Sequence, residues 1–251
     1  MDSLDLDQLL SSLSRPLNGS YAMETLSTSD DLKAAASTGA PDFTLRIAER
    51  QSKGRGREGK SFHSPNGLYL SLLLPYSPRI APLLTHLAAV AVAKAIRETA
   101  KEDARIKWVN DVYVKGKKVC GILTESVVTA AGRRVILGIG VNANTPLSDF
   151  PDDLKEIAAP ISADKQLLAA RILSEFFSRF DDFSPERVKE DYRDLCFLIG
   201  EKVSVVKKEG GKAAVVLGLS DDLGLDVLYE DGSRETLISG EVSLHLHQSK
   251  E

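Results

Sequence analysis

Leucines at positions 4, 6, 9, 10 and 13 share one face of a short helix, which Arg15-Pro16 and Asn18-Gly19 then break. Tyr21 to Leu26 reads as a strand. Ser27-Thr28-Ser29-Asp30-Asp31 follows it with N-cap chemistry, predicting a helix to about Ser37 that Gly39 and Pro41 end. Phe43 to Glu49 and Leu68 to Leu74 are apolar strand runs, and between them lies a glycine-rich polar stretch. Leu83 to Ala100 has helical periodicity and many alanines. Arg105 to Trp108 and Asp111 to Val114 read as short strands around a polar kink. A hairpin turn at Gly116-Lys117 leads into a strand from Lys118 to Ser126, and Arg133 to Ala143 is another. Helices from Lys165 to Phe180 and from Glu186 to Asp194 complete this part of the chain.

Beyond Gly200 the texture changes to five short strand candidates: Lys202 to Lys207, Ala213 to Leu219, Leu225 to Tyr229, Glu235 to Ile238 and Val242 to Leu246. Gly210-Gly211, Asp222-Leu223-Gly224 and Asp231-Gly232 punctuate them at the spacing of a small barrel. A boundary near Asp194 to Leu198 divides residues 1–196 from a smaller unit, 197–251. The pattern is α+β: a mixed sheet with helices, then a compact β unit.

The 251 residues are 43% hydrophobic and 27% charged, ample for a core and ordinary for a globular protein. A net charge of -4 gives no general drive toward nucleic acid or an anionic membrane. The first residues, MDSLDLDQLL, are acidic and precede no long apolar run, so neither a signal peptide nor a membrane span is expected. Two cysteines, Cys120 and Cys196, suggest no disulfide framework. A cytoplasmic setting follows.

Gly54 to Ser61, GRGREGKS, satisfies both the phosphate-loop pattern G-x-x-x-x-G-K-S and the dinucleotide pattern G-x-G-x-x-G. Both need a helix directly after the glycines, to hold phosphates on its N-terminal amides. Here Pro65 and Asn66-Gly67 oppose a helix and the strand LYLSLLL follows, so both matches are accidental. What remains is a pliable backbone carrying Lys53, Arg55, Arg57 and Lys60, suited to enclosing an anion; a solvated basic loop is the bland alternative.

Two further clusters weigh against that alternative. Lys107-Trp108-Val109-Asn110-Asp111 is followed by Lys117 to Glu125, where Lys118 opens an apolar strand that would ordinarily exclude a lysine. Gly138 to Asn144, GIGVNAN, ends a strand in two asparagines that either shape a turn or present amides to a ligand. His63 and His86 have no partner suggesting a base, and His245 and His247 share one strand face and read as surface.

Together, Ser27-Thr28, Gln51 with GRGREG, Ser64-Pro65, LYLSL, KWVND, KKVCGILTE and GIGVNAN, in that order over about residues 21 to 144, resemble the biotin–protein ligase (biotin–acetyl-CoA-carboxylase ligase) family. The resemblance implies a class II synthetase-like, biotin–lipoate ligase fold with a small C-terminal SH3-like β-barrel. It implies that ATP and biotin form biotinyl-5′-AMP, which a lysine of a biotin carboxyl carrier domain then attacks. No protein nucleophile is required; positioning and charge stabilisation suffice.

Carried over residue by residue, Ser27, Thr28, Gln51, Gly54, Arg55, Gly56, Arg57, Lys118 and Gly121 would surround biotin. Arg55, Arg57, Phe62, Lys107, Trp108, Asn110, Lys118 and Asn142 would serve ATP, with Mg2+ held mainly by the ATP phosphates. Lys118 would neutralise the biotin carboxylate and the phosphate it attacks, Arg57 would cover the adenylate, and Asp111 would orient the incoming lysine. Trp108 is either adenine-side packing or core.

The chain departs from the family pattern at Ser29, where asparagine is common, and at Val109, Phe62 and Cys120, which replace proline, tryptophan and alanine. Family members that repress transcription carry an N-terminal winged helix-turn-helix, for which the residues before Tyr21 leave no room, so no nucleic-acid partner is expected. Dimers occur in the family, often through the edge of the main sheet, so a homodimer stays open. A lipoate ligase is the nearest enzymatic alternative, and an adaptor working through the C-terminal barrel is the non-enzymatic one.

The loop chemistry predicts that Lys53 to Asn66 is mobile without ligand and ordered by the adenylate. Limited proteolysis with and without biotin plus ATP should show protection of this segment; equal cleavage contradicts it.

Overall fold

The computed structural model describes residues 4–63, 65–130, 132–207 and 210–244. Ser64, His245, His247 and the tail from Ser249 therefore lie outside the described residues, as does the end of the last strand candidate. Helix α1 (Leu6–Ser11) is capped by Asp5, whose side chain accepts from the Gln8 amide. Asn18-Gly19, expected as a break, instead opens β1 (Asn18–Thr25). A Cβ at Gly19 would stand 2.8 Å from Leu10 Cδ1, so the glycine lets α1 lie directly on the strand. Ser27 caps α2 (Thr28–Ser37) by accepting from the Asp30 amide, and this helix crosses over to β2 (Thr44–Gln51), which runs parallel to β1.

The chain continues through β3 (Leu68–Pro75), α3 (Leu84–Thr99), β4 (Arg105–Lys107), β5 (Asp111–Val114), β6 (Lys117–Thr129) and β7 (Gly132–Val141). The β5–β6 turn has positive φ at Lys115 (50°) and Gly116 (76°), the two-residue geometry that matches strand twist, one residue earlier than the pattern suggested. A short helix α4 (Asp152–Lys155), which the pattern did not reveal, precedes α5 (Lys165–Asp181) and α6 (Pro185–Leu195). No helix among the described residues is long and apolar enough to cross a membrane.

The seven strands order as β1-β2-β3-β7-β6-β5-β4, antiparallel apart from β1–β2. β7 is the middle strand, and the two faces of its neighbour β3 differ. Leu68, Leu70, Leu72 and Leu74 enter the main core with α3 and α5, while Leu73 packs with Leu32 and Ala36 of α2 on the opposite side. Tyr69 and Ser71 share the α2 side by strand alternation.

A second, antiparallel sheet contains β8 (Lys202–Lys207), β9 (Gly210–Leu219), β10 (Leu225–Tyr229), β11 (Arg234–Leu237) and β12 (Glu241–Leu244), ordered β11-β10-β9-β8-β12. Five strands were expected and five are present; no pairing closes β11 onto β12 among the described residues. Gly210-Gly211 belongs to β9 rather than to a turn. The second sheet is not a separate oil drop: Val203, Val216, Leu225 and Val242 join the same buried cluster as the main sheet. Trp108 Nε1 donates to the Leu223 carbonyl at 2.8 Å, and Arg193 Nη2 to that of Ser220 at 3.0 Å.

Both cysteines are buried thiols. Burial pushes the Cys120 thiol far above its ordinary range, so it packs as a small hydrophobe. His86 lies edge-on to Tyr192 with ring centroids 4.7 Å apart, and burial, partly offset by the Pro82 carbonyl, lowers its imidazole to about 4. The unfolded chain takes up this proton near pH 6.5 and the folded one only near 4, so its contribution to stability is whole above 6.5 and is lost as pH falls toward 4. Urea unfolding at pH 7 and pH 4.5 should show an acid loss from this residue on the order of 2 kcal/mol. His86→Phe should remove that part of the loss; an unchanged acid limb contradicts the assignment.

Candidate active site

A pocket opens on the α2 side of the central strands. The part of its floor that Gly138 and Gly140 of β7 and Gly121 of β6 provide barely projects. Ser71 on β3 faces Gly138 on β7, and Gly138 faces Leu123 on β6; one pair further along, Tyr69, Gly140 and Gly121 lie in line. Added side chains would collide there. A Cβ at Gly138 would sit 2.7 Å from Ser29 Oγ, and one at Gly121 or Gly140 would sit 2.8 or 2.9 Å from the Phe62 ring. The glycines thus leave room for a flat ligand and let Phe62 rest on the sheet, edge-on to Tyr69 with centroids 6.3 Å apart.

One end of the pocket is a wall of small polar groups at the start of α2. Ser27, Thr28 and Ser29 are buried yet line the space. The Thr28 amide and hydroxyl donate to Gln51 Oε1 at 2.8 and 3.1 Å, tying the helix start to the end of β2. The other end carries charge. Lys118 Nζ stands 2.7 Å from Asp111 Oδ1 and 5.8 Å from the Phe62 ring centre. Lys107, Trp108 and Asn110 line the same end, joined by a cis Trp108–Val109 peptide. Asn110 is fixed between its Nδ2 bond to the Ile122 carbonyl, 2.9 Å, and the Arg57 Nη1 donor, 3.2 Å from its Oδ1.

The loop from Gln51 roofs the space. It is pinned by Arg55, whose guanidinium donates to Asp30 Oδ1 at 2.6 Å and to Glu125 Oε1 at 2.9 Å, where Lys33 also binds at 2.9 Å. The Asp30 hydrogen bond raises the pKa of the Arg55 guanidinium, and nearby Glu125 adds to this. Arg57 to Gly59 form a single 3-10 turn, not the helix a phosphate loop would need. His63, its ring nitrogen 2.7 Å from the Asp149 carbonyl, anchors the far side.

Of the residues nominated from sequence, Ser27, Thr28, Gln51, Arg55, Gly56, Arg57, Phe62, Lys107, Trp108, Asn110, Asp111, Lys118 and Gly121 all line this one pocket. Gly54 and Asn142 stand outside the lining. Gly54 is buried, and its carbonyl accepts from the Phe62 amide at 2.9 Å, closing the base of the loop. Asn142 directs its amide to the Ala159 carbonyl at 3.3 Å. Asn144, at φ 57°, shapes the turn it was suspected of shaping, bonding Ala163 through both ends of its amide. Trp108 is both core and pocket: it is 4% exposed and bonded to the second sheet. Gly240, just before β12, and Val242 of β12 also border the pocket, and nothing in their local sequence marks them.

The profile of the Biotin/lipoate A/B protein ligase family matches residues 24–142. The Bacillus subtilis bifunctional ligase/repressor BirA is 36% identical over 87% of this chain and 71% of its own length. The Mycobacterium tuberculosis biotin–[acetyl-CoA-carboxylase] ligase is 29% identical over 96% of this chain and 93% of its own. The Aquifex aeolicus biotin protein ligase, solved in complex with biotin and ATP, superposes with a TM-score of 0.74 at 30% identity, covering 90% of this chain and 98% of that one. The chain belongs to the biotin/lipoate protein ligase family, on its biotin protein ligase branch.

Gly121→Ala tests the floor. The displaced group is the end of a side chain, so thermal stability should stay within a few degrees while biotin affinity drops about tenfold. Wild-type biotin binding by a folded G121A protein contradicts the role given to that floor.

Proposed function

We propose that this chain joins biotin to ATP as biotinyl-5′-AMP and then passes biotin to a lysine of a biotin carboxyl carrier domain. The observation carrying this reading is one pocket with two unlike ends: small hydroxyl and amide groups at one, Lys118 with Lys107 and Arg57 at the other. A cyclic urea offers N–H and C=O groups to the first end, and a carboxylate and phosphates suit the second. A dithiolane would leave the hydroxyl wall without partners, which disfavours lipoate as substrate.

In the first step the biotin carboxylate oxygen attacks the α-phosphorus as the bond to pyrophosphate breaks. Both reactants are anions, so a cation held between them lowers the barrier. Lys118 has that place, and Asp111, 2.7 Å away, holds its ammonium in position. Lys107, Asn110 and Arg57 receive the phosphates, Trp108 and Phe62 flank the nucleotide, and Asn142 supports the end of β7 from behind. In the second step the lysine nitrogen forms the amide bond, AMP leaves with the bonding electrons, and Asp111 orients the incoming amine.

Magnesium is read as part of the MgATP substrate, held mainly by the ATP phosphates. Residues 1–196 form the ligase domain in this reading, and 197–251 the smaller unit that closes one side of the nucleotide end. β1 is one of the two edge strands of the main sheet, and a second copy would pair along such an edge. Two buried free thiols suit the reducing cytoplasm.

Lys118→Ala should reduce biotin-dependent ATP–pyrophosphate exchange by on the order of 10²–10³ while the protein stays folded. Exchange near the wild-type rate would remove Lys118 from this role.

A further inference from the structure

Ser71 lies under the hydroxyl wall, fully buried and outside the pocket lining. Its oxygen is 2.8 Å from Thr28 Oγ1 and 3.1 Å from Ser29 Oγ. Each hydroxyl has a single proton, so the direction of every bond can be worked out. Gln51 Oε1 accepts from the Thr28 amide at 2.8 Å, which makes it the carbonyl end of that side chain. The Thr28 hydroxyl donates to the same oxygen at 3.1 Å. With its proton committed there, Thr28 accepts from Ser71. Ser71, in turn, accepts from Ser29.

We propose that Ser71 is a positioning residue that fixes the donor–acceptor polarity of the ligand wall. The bonds run one way, Ser29 to Ser71 to Thr28 to Gln51, and all three protons point inward. Thr28 and Ser29 therefore turn lone pairs toward the pocket, and these take N–H groups. Ser27 has the opposite sense: its oxygen accepts from the Asp30 amide at 3.3 Å, which leaves its proton for a ligand carbonyl. A wall with acceptors beside a donor matches a cyclic urea, whose carbonyl is flanked by two N–H groups. This inference rests on reading the site as a biotin pocket. It also gives the serine at position 29 a role: its proton, directed into Ser71, completes the chain. Gly138 preserves the necessary closeness, since a Cβ there would stand 2.7 Å from Ser29 Oγ.

Ser71→Ala releases the Ser29 proton, so Ser29 becomes able to donate into the pocket. Steady-state kinetics should compare biotin with the two cyclic carbamates in which one or the other ring N–H is replaced by oxygen. In S71A the KM for biotin should rise about tenfold, with kcat and the KM for ATP near wild type. Preference for biotin over at least one carbamate should shrink by a similar factor. A folded S71A protein with unchanged biotin KM and unchanged preference overturns the inference. If S71A does not fold, S71C keeps the volume with a weaker donor and acceptor, and the same shifts are expected in smaller measure; their absence is equally decisive. Wild-type protein unable to use biotin would instead refute the reading of the site itself.

Discussion

The constraint on which this structure depends is that one strand must be greasy on one face and nearly bare on the other. The pocket floor stays open only because Gly138 and Gly140 of β7 and Gly121 of β6 keep that surface low. Glycine in a strand interior weakens a sheet. The compensation is on the opposite face, where four alternate leucines of β3 enter the same core as an α3 that is buried along most of its length. α2 bridges the two demands: Leu32 and Ala36 cover part of the site face, and its N-terminus supplies the polar wall.

Charge is used as sparingly as bulk. Lys118 is held by Asp111, Arg57 by Asn110, and Arg55 by Asp30 and Glu125, so three cations that line the pocket are each restrained by a neighbouring group. Restraint of this kind is what a reaction without a protein nucleophile requires, because its rate depends on where charge already stands. Of the two Arg55 contacts, the one to Asp30 is the more solvent-exposed and the one to Glu125 the more sheltered.

Much of this was legible in the chain. Ser27-Thr28 followed by acidic residues announced a capped helix, the apolar run of 68–74 announced a strand, and Pro65 with Asn66-Gly67 opposed the helix of a phosphate loop. Local patterns could not show contacts between distant segments. Ser71 reads as an ordinary residue of an apolar strand until α2 is laid over it. Gly240 and Val242 border the pocket because the second sheet packs back on Trp108, a contact 115 residues apart in sequence. Asn18-Gly19 was misread for a related reason: its preference for turns is overridden by the need to seat Leu10. Asn142, in a segment that resembles a ligand motif, directs its amide to Ala159, a contact invisible until α4 and its flanking segments are in place.

The central claim is that a urea-bearing acid, and not a dithiolane one, is activated here and delivered to protein. Its most direct test is ATP-dependent transfer of labelled biotin, against labelled lipoate, to a purified carboxyl-carrier domain. The account predicts label on the carrier lysine from biotin alone, dependent on ATP. Transfer of lipoate in preference to biotin, or no transfer of either, would contradict it.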